Sequence, residues 1–363
     1  MKHPFLVRYF NIIASILIVL LYVAGKISPS EKFNLWILSF AIPFALTANI
    51  ILLLVLLFLR KKSTIYYVVA LFIGSPYVTG TIGLKYLFSK ESAPGFSFTA
   101  MNYNLGGYYM MPYVYKDMDS AKIALKNWLL HSDADIKCYQ EFVNSPRSEE
   151  FNIIEQLSKD GAYFYFSQEN ATKNSEYSQE GTLIISKFPI VSSGDLLASE
   201  NGFNRIAYAD LLIKKDTVRI INVHLESMGL TNLGHHARNL RSLKTIAVIL
   251  FSKLKNGVLV RSTQINQLAA FIDSTPYPVI CMGDFNDLPY SYTYQLMKEK
   301  MKNSFEESGR GFGFTYKVGR LAGLRIDNQF YTTSIRSVGF ETLDSIKFSD
   351  HFPLWGEYQL VDR

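Results

Sequence analysis

"VICMGDFNDLPY", residues 279–290, starts as a buried strand and ends as a turn. Val279 to Met282 is an apolar, β-favouring run, Gly283 frees the backbone, and Asp284 and Asn286 follow two residues apart. At extended spacing, residues i and i+2 project from one face, so the pattern predicts a carboxylate and an amide side by side at a strand end. Turn chemistry is one account, because Asp, Asn and Gly begin turns through local hydrogen bonds. A shared ligand is another. The rest of the chain separates the two.

The same pattern recurs. "FTAMNYNLGG" delivers Asn104, "DIKCYQEF" Glu141, "RIINVHLES" His224, "LRIDNQF" Asp327, and "KFSDHFPLW" Asp350 with His351. Each has an ordinary reading by itself: a turn at Asn104, a surface charge at Glu141, a core histidine at His224, a pair with Arg325 at Asp327, a loop cap at Asp350. As a set they need a common partner, since charged groups beside buried strands are costly unless paired or bound to metal. Carboxylates and an amide are hard oxygen ligands suited to magnesium. Two histidines with nearby acids supply proton transfer and a cation. Attack on a phosphate ester needs both, charge neutralisation and an activated water.

In chain order, "NYN", "QE", "GTLIISKFPI", "VHL", "GDFN", "RID" and "SDH" resemble the motifs of the endonuclease/exonuclease/phosphatase superfamily, from about residue 97 to the C-terminus. That superfamily includes deoxyribonuclease I-like nucleases, abasic-site endonucleases, inositol polyphosphate 5-phosphatases and neutral sphingomyelinases. The resemblance implies an α/β fold, a four-layered sandwich with two central, mostly antiparallel sheets. It implies a hydrolase of phosphate esters that uses Mg2+, with Mn2+ as a substitute. Its substrate would be a nucleic acid, a phospholipid or an inositol phosphate. Glu141 resembles the principal metal-binding carboxylate, with Asn104 beside it and Asp350 near a second metal position. His351 resembles the histidine that activates water or contacts the phosphate, oriented by Asp327. His224 resembles the second histidine, near the leaving group or phosphate. Asp284 and Asn286 match the pair that positions water and substrate, and Arg205 stands where a phosphate-binding arginine often lies. Asn328 and Gln329 depart from the pattern, which usually has an aromatic and an apolar residue there, and predict a less regular strand. A catalytically inactive binding module on the same fold is the alternative.

The chain has 363 residues, 48% hydrophobic and 14% aromatic. The apolar excess lies in the first 85 residues, in three uncharged runs at about 9–25, 34–59 and 65–84. Each approaches the roughly 20 residues needed to cross a bilayer. The expected organisation is an anchor of three transmembrane helices over 1–90, a linker over 91–97 and a catalytic domain over 98–363. Lys2, Arg8 and the "RKK" at 60–62 put the N-terminus inside and the catalytic domain outside the cytoplasm. A signal peptide cut near Ala24 would leave the same location.

Residues 1–96 carry nine basic and two acidic side chains, so of the chain's net +6 the remainder contributes −1. The basic balance therefore reflects membrane flanks and weakens the argument for tight, nonspecific nucleic-acid binding by the globular part. Cys138 and Cys281 lack zinc-site spacing and read as small buried hydrophobes, bridgeable only if their strands are neighbours. "RIAYADLLI" and "TVRIINVHL" form a hairpin turning at "KKD". Two helical patterns follow, "GHHARNLRSLKTIAVILFSKL" and "VRSTQINQLAAFIDS". The first begins with the basic stretch Gly234–Lys244, a solvated face or a substrate-facing loop.

Overall fold

The computed structural model describes residues 4–30, 34–84, 95–109, 111–114, 116–148, 151–168, 178–198, 204–228, 243–318 and 322–361. The basic stretch before Leu243 lies outside these residues. Among them are β1 (Gly83–Leu84), β2 (Ser97–Asn104), β3 (Ile136–Asn144), β4 (Tyr163–Gln168), β5 (Gln179–Ser186), β6 (Ile190–Ala198), β7 (Arg205–Ile213) and β8 (Asp216–His224). Then come β9 (Val279–Asp284), β10 (Lys302–Asn303), β11 (Arg310–Gly311), β12 (Tyr316–Val318), β13 (Ala322–Leu324), β14 (Asp327–Tyr331), β15 (Ile335–Thr342) and β16 (Leu354–Leu360).

Two six-stranded sheets carry the fold, in the orders β15-β16-β2-β3-β5-β4 and β10-β14-β9-β8-β7-β6. Within them β2–β3 and β8–β9 pair in parallel, and the other neighbours are antiparallel. These mixed sheets agree with the α/β class expected. Alternation along each strand turns one apolar set toward a common core: Phe98, Ala100, Ile136, Cys138 and Ile184 from the first sheet, Ala207, Ile220, Ile280 and Met282 from the second. Tyr103, Tyr139 and Leu183 face the other way, onto Leu125 and Leu129 of the helix Met118–His131. That helix is capped by Asp117, whose carboxylate accepts from the Asp119 and Ser120 amides. The hairpin turn falls at Lys214–Lys215, as the sequence predicts.

Buried amides join the sheets. Gln140 Nε2 donates to Asn222 Oδ1 (2.7 Å), and Asn222 Nδ2 donates to the Tyr139 and Leu183 carbonyls (3.1 and 3.2 Å). Gln329 Nε2 donates to Asn102 Oδ1 (3.0 Å) and to the Ala100 and Leu354 carbonyls, while its Oε1 accepts from Tyr358 (2.6 Å). Such groups stay buried only when bonded. The strand holding Asn328 and Gln329 is accordingly regular, in unbroken register with β9 from Asp327↔Asp284 to Tyr331↔Ile280. This corrects the expected irregularity: the two amides find partners that an apolar pair would not need.

Cys138 and Cys281 are both free and buried. Ile280 and Met282 belong to the inter-sheet core with Cys138, so Cys281 between them faces the opposite side of its strand.

Two compact units divide the chain, Met1–Ile82 with Met228–Ile265 and Asp287–Glu299, and Gly83–Ser227 with Asn266–Asn286 and Lys300–Arg363. In the first, Tyr290 bonds to Thr81 (2.9 Å) and Arg261 to Asp287 (3.3 Å). Two of its helices are long and apolar enough to cross a membrane, with mean hydropathy 2.1 over Val7–Ala24 and 2.5 over Leu35–Phe58. The third expected span is not one helix of that length. It is a ten-residue helix, Thr64–Ile73, and a short one, Ser75–Thr81, because Gly74 and Pro76 interrupt the backbone bonding. Conversely, the two expected helices before Asp284 are a single one, Leu243–Asp273, running through Gly257.

Gly283 has φ +138°, and a Cβ there would lie 2.1 Å from the Val223 carbonyl oxygen on the neighbouring strand. Gly283→Ala should therefore lower unfolding free energy by more than about 3 kcal/mol. Denaturant titration of the full chain checks this, and an unchanged midpoint would contradict it.

Candidate active site

Strand register assembles one row across the second sheet. Arg205 pairs with His224, His224 with Asp284, and Asp284 with Asp327. The four side chains are buried. The first sheet faces this row with Asn104 at the end of β2 and Glu141 in β3. Glu141 lies at a register shift between Tyr139 and Phe142 and has φ +48°, so the bulge redirects its side chain from the regular alternation.

Asn104 ties the sheets together at this level. Its Nδ2 donates to Glu141 Oε1 (3.1 Å) and to Asp284 Oδ2 (2.9 Å), and its Oδ1 accepts from the Gly106 amide. His224 Nε2 lies 3.5 Å from Glu141 Oε1 and 3.9 Å from Asp284 Oδ2. His351 Nδ1 bonds to Asp327 Oδ2 at 2.9 Å, and its Nε2 is 3.7 Å from Asp284 Oδ2. Asp284 is thus approached by an amide and two imidazoles. Burial and then the Asp327 carboxylate push its carboxyl up to about 6, against the pull of His351, His224 and Asn104. Burial alone would lower the His351 imidazole, but Asp327 and Asp284, with the Asp327 bond and the Asp350 charge, push it up to about 10.

The structure therefore brings together Asn104, Glu141, His224, Asp284, Asp327 and His351. Asn286 follows differently from the extended i, i+2 reading. The strand ends at Asp284, Asn286 has φ +52°, its amide N–H donates to Asp284 Oδ1, and its Nδ2 donates to the Leu225 carbonyl. A local turn and a shared site thus coexist. Asp350 bonds to Ser349 and to the Tyr316 hydroxyl. Arg205, beside His224 in the row, donates to Ser167.

Tyr316 is the residue that sequence reading misses. It bridges to His351, its ring centroid lies 4.8 Å from the imidazole, and burial with the Asp350, Asp284 and Glu141 charges pushes its hydroxyl up to about 12. No acidic or histidine signal marks it in "GFTYK"; only its neighbours in space do.

The donor set fits a hard divalent cation. Ligand atoms of Asp284, Asp327 and His351 lie within 4.8 Å of one another, and Asp327 Oδ1 is buried without a hydrogen-bond partner. Glu141 adds a third carboxylate, within reach of Asn104 and His224.

A model of the Endonuclease/Exonuclease/phosphatase family matches residues 101–351. The chain belongs to this family. A second match, over residues 4–81, is to a domain of unknown function (DUF8431). No curated protein matches the chain. Among solved structures, a humanized D. rerio TDP2 is similar with TM-score 0.50 and 14% identity, over 72% of this chain and 99% of that one. An endonuclease/exonuclease/phosphatase from Beutenbergia cavernae has TM-score 0.49 and 17% identity, over 73% and 72%. A family protein from Leptotrichia buccalis has TM-score 0.49 and 14% identity, over 73% and 100%. At such identity the TDP2 likeness concerns the fold alone. The Endonuclease/Exonuclease/phosphatase match spans every member of the polar row and its facing residues, from Asn104 to His351.

The His351 shift fixes a pH dependence. A raised imidazole contributes stability that is fully present below its ordinary value near 6.5 and is lost as pH rises through about 10. The metal-free protein should lose stability between these limits, and Asp327→Asn should flatten the loss. Denaturant midpoints across this range, with NMR titration of the His351 ring, measure it; a ring titrating near 6.5 would contradict it.

Proposed function

We propose that the chain is a divalent-metal-dependent phosphoesterase, held in a membrane by its N-terminal apolar helices, with the site outside the cytoplasm. The observation carrying this reading is the single buried cluster that joins Asn104 and Glu141 of one sheet to His224, Asp284 and Asp327 of the other, with His351 between acids. A binding module would have no need for so costly a concentration of charge.

The reading assigns each side chain a task. Glu141, with Asn104, would hold a magnesium or manganese ion, and Asp350 would border a second position. When bound, the ion supplies a positive charge to the phosphate oxygens. Asp284 takes the proton of the attacking water, and Asn286, held at Leu225 and Asp284, orients it. His351, fixed by Asp327, donates from Nε2 to a nonbridging oxygen. His224 donates on the leaving-group side, and Arg205 adds positive charge behind it. Charged donors aimed into a dry site act on the transition state with little reorganisation.

The test uses the full chain in detergent with magnesium and bis(p-nitrophenyl) phosphate. Glu141→Ala and His351→Ala should each lose on the order of 10²–10⁴-fold in kcat, and EDTA should abolish activity until metal is restored. Full activity in either variant, or indifference to chelation, would refute the assignment.

A further inference from the structure

A single bond leaves the His351 ring underdetermined. Its Nδ1 bonds to Asp327 Oδ2 at 2.9 Å, and its Nε2 lies 3.7 Å from Asp284 Oδ2. An imidazole held at one atom still pivots there, and its far nitrogen sweeps the widest path. Displacing a catalytic group by about 1 Å costs on the order of 10²-fold in rate. The ring therefore needs a second contact, on its face.

The stretch "TYK", Thr315–Lys317, supplies it. The Phe352 amide donates to the Thr315 carbonyl (2.7 Å), and the Lys317 amide donates to the Asp350 carbonyl (2.9 Å). These two bonds flank the Tyr316–His351 bridge, so the residues stand as a non-hydrogen-bonded antiparallel pair, the kind whose side chains lie closest. The Tyr316 ring centroid is 4.8 Å from that of the imidazole, with the planes at 56°. Its hydroxyl is turned to the Asp350 carboxylate, which also accepts from Ser349 Oγ (3.2 Å). Thr315 projects to the opposite face and grips the other half of the pair. Its buried Oγ1 accepts from the Ile326 and Asp327 amides, both at 3.1 Å, and its own amide donates to the Leu324 carbonyl (2.8 Å). Asp327 and His351 stand 24 positions apart in the chain, and "TYK" is bonded to the backbone at both.

We infer that Tyr316 is a positioning residue for His351: its ring backs the imidazole and keeps Nε2 aimed into the cluster, while Thr315 sets Asp327 on the other side. The main-chain bonds of the pair form with any side chain at position 316, so they do not account for an aromatic there. The contact with the imidazole does. Outer partners that orient a working side chain act through it, without touching the reacting atoms. The consequence for rate rests on the phosphoesterase reading. The restraint on the ring does not.

The experiment compares Tyr316→Leu and Tyr316→Phe with the parent, all as the full chain in detergent. With magnesium and bis(p-nitrophenyl) phosphate, Tyr316→Leu should lose about 10- to 100-fold in kcat with KM unchanged. Tyr316→Phe keeps the ring and should recover most of that loss. A change confined to KM would put the ring on the substrate instead. Parental kcat in Tyr316→Leu, or equal losses in the two variants, would take the ring contact out of the mechanism. Each of these results overturns the inference. NMR of the metal-free protein reads the restraint itself. The His351 Hδ1 signal, from the proton shared with Asp327, should stay sharp in the parent and in Tyr316→Phe and broaden or vanish in Tyr316→Leu. An equally sharp signal in Tyr316→Leu would contradict the restraint. Should Tyr316→Leu fail to fold, Tyr316→Ile, β-branched and suited to an extended pair, takes its place. A parent chain that hydrolyses no diester would refute the phosphoesterase reading, while the NMR comparison still decides whether Tyr316 positions the ring.

Discussion

Asp284, Asp327 and His351 occupy a space almost closed to water, where an uncompensated charge would cost several kcal/mol. Their mutual compensation sets the terms for the rest of the molecule. The Asp327–His351 bond, the approach of both imidazoles to Asp284, and the Asn104 amide shared between Asp284 and Glu141 must all form together. That requires the two sheets to meet in one register. Losing one member would leave the others buried and unpaired.

The layer beneath explains how the register is kept. Asn102, Asn222 and Gln329 each lie two residues from a member of the cluster on the same strand: Asn104, His224 and Asp327. Alternation puts them on the same face, one step further into the sandwich. There they bond across to main-chain carbonyls and to each other's neighbours in the facing sheet. An apolar contact slides at little cost, whereas a buried amide with fixed partners does not. Gln329, one of the two residues that depart from the family pattern, joins β14 to β2 and β16 and so ties the strand of Asp327 to the strand of Asn104 and to the one that follows His351.

The sequence was most informative where a local rule and a chemical need coincided. Strands ending in Asn104, His224 and Asp284 were legible because apolar runs stop at polar residues, and the hairpin because its alternation and turn agree; Glu141 instead sits at a bulge inside its strand and Asp327 opens one. Tyr316 was invisible, since its role comes from a bridge to His351 and not from its own neighbours in the chain. The left-handed turn at Asn286 was masked by the extended spacing of the motif. The third apolar run has the length of a span, but Gly74 and Pro76 stop a helix that composition alone would continue. Grouping of 228–265 and 287–299 with the N-terminal residues depends on pairs such as Arg261–Asp287 and Thr81–Tyr290, which no local pattern announces.

The central idea is that separate strand ends, drawn from both sheets, form one cation-and-phosphate pocket centred on Glu141 and Asp284. Anomalous scattering from crystals of the full chain grown with manganese tests this most directly. The account predicts a peak within about 2.0–2.3 Å of a Glu141 carboxylate oxygen. A peak confined to another surface, or none at Glu141 under saturating manganese, would contradict it.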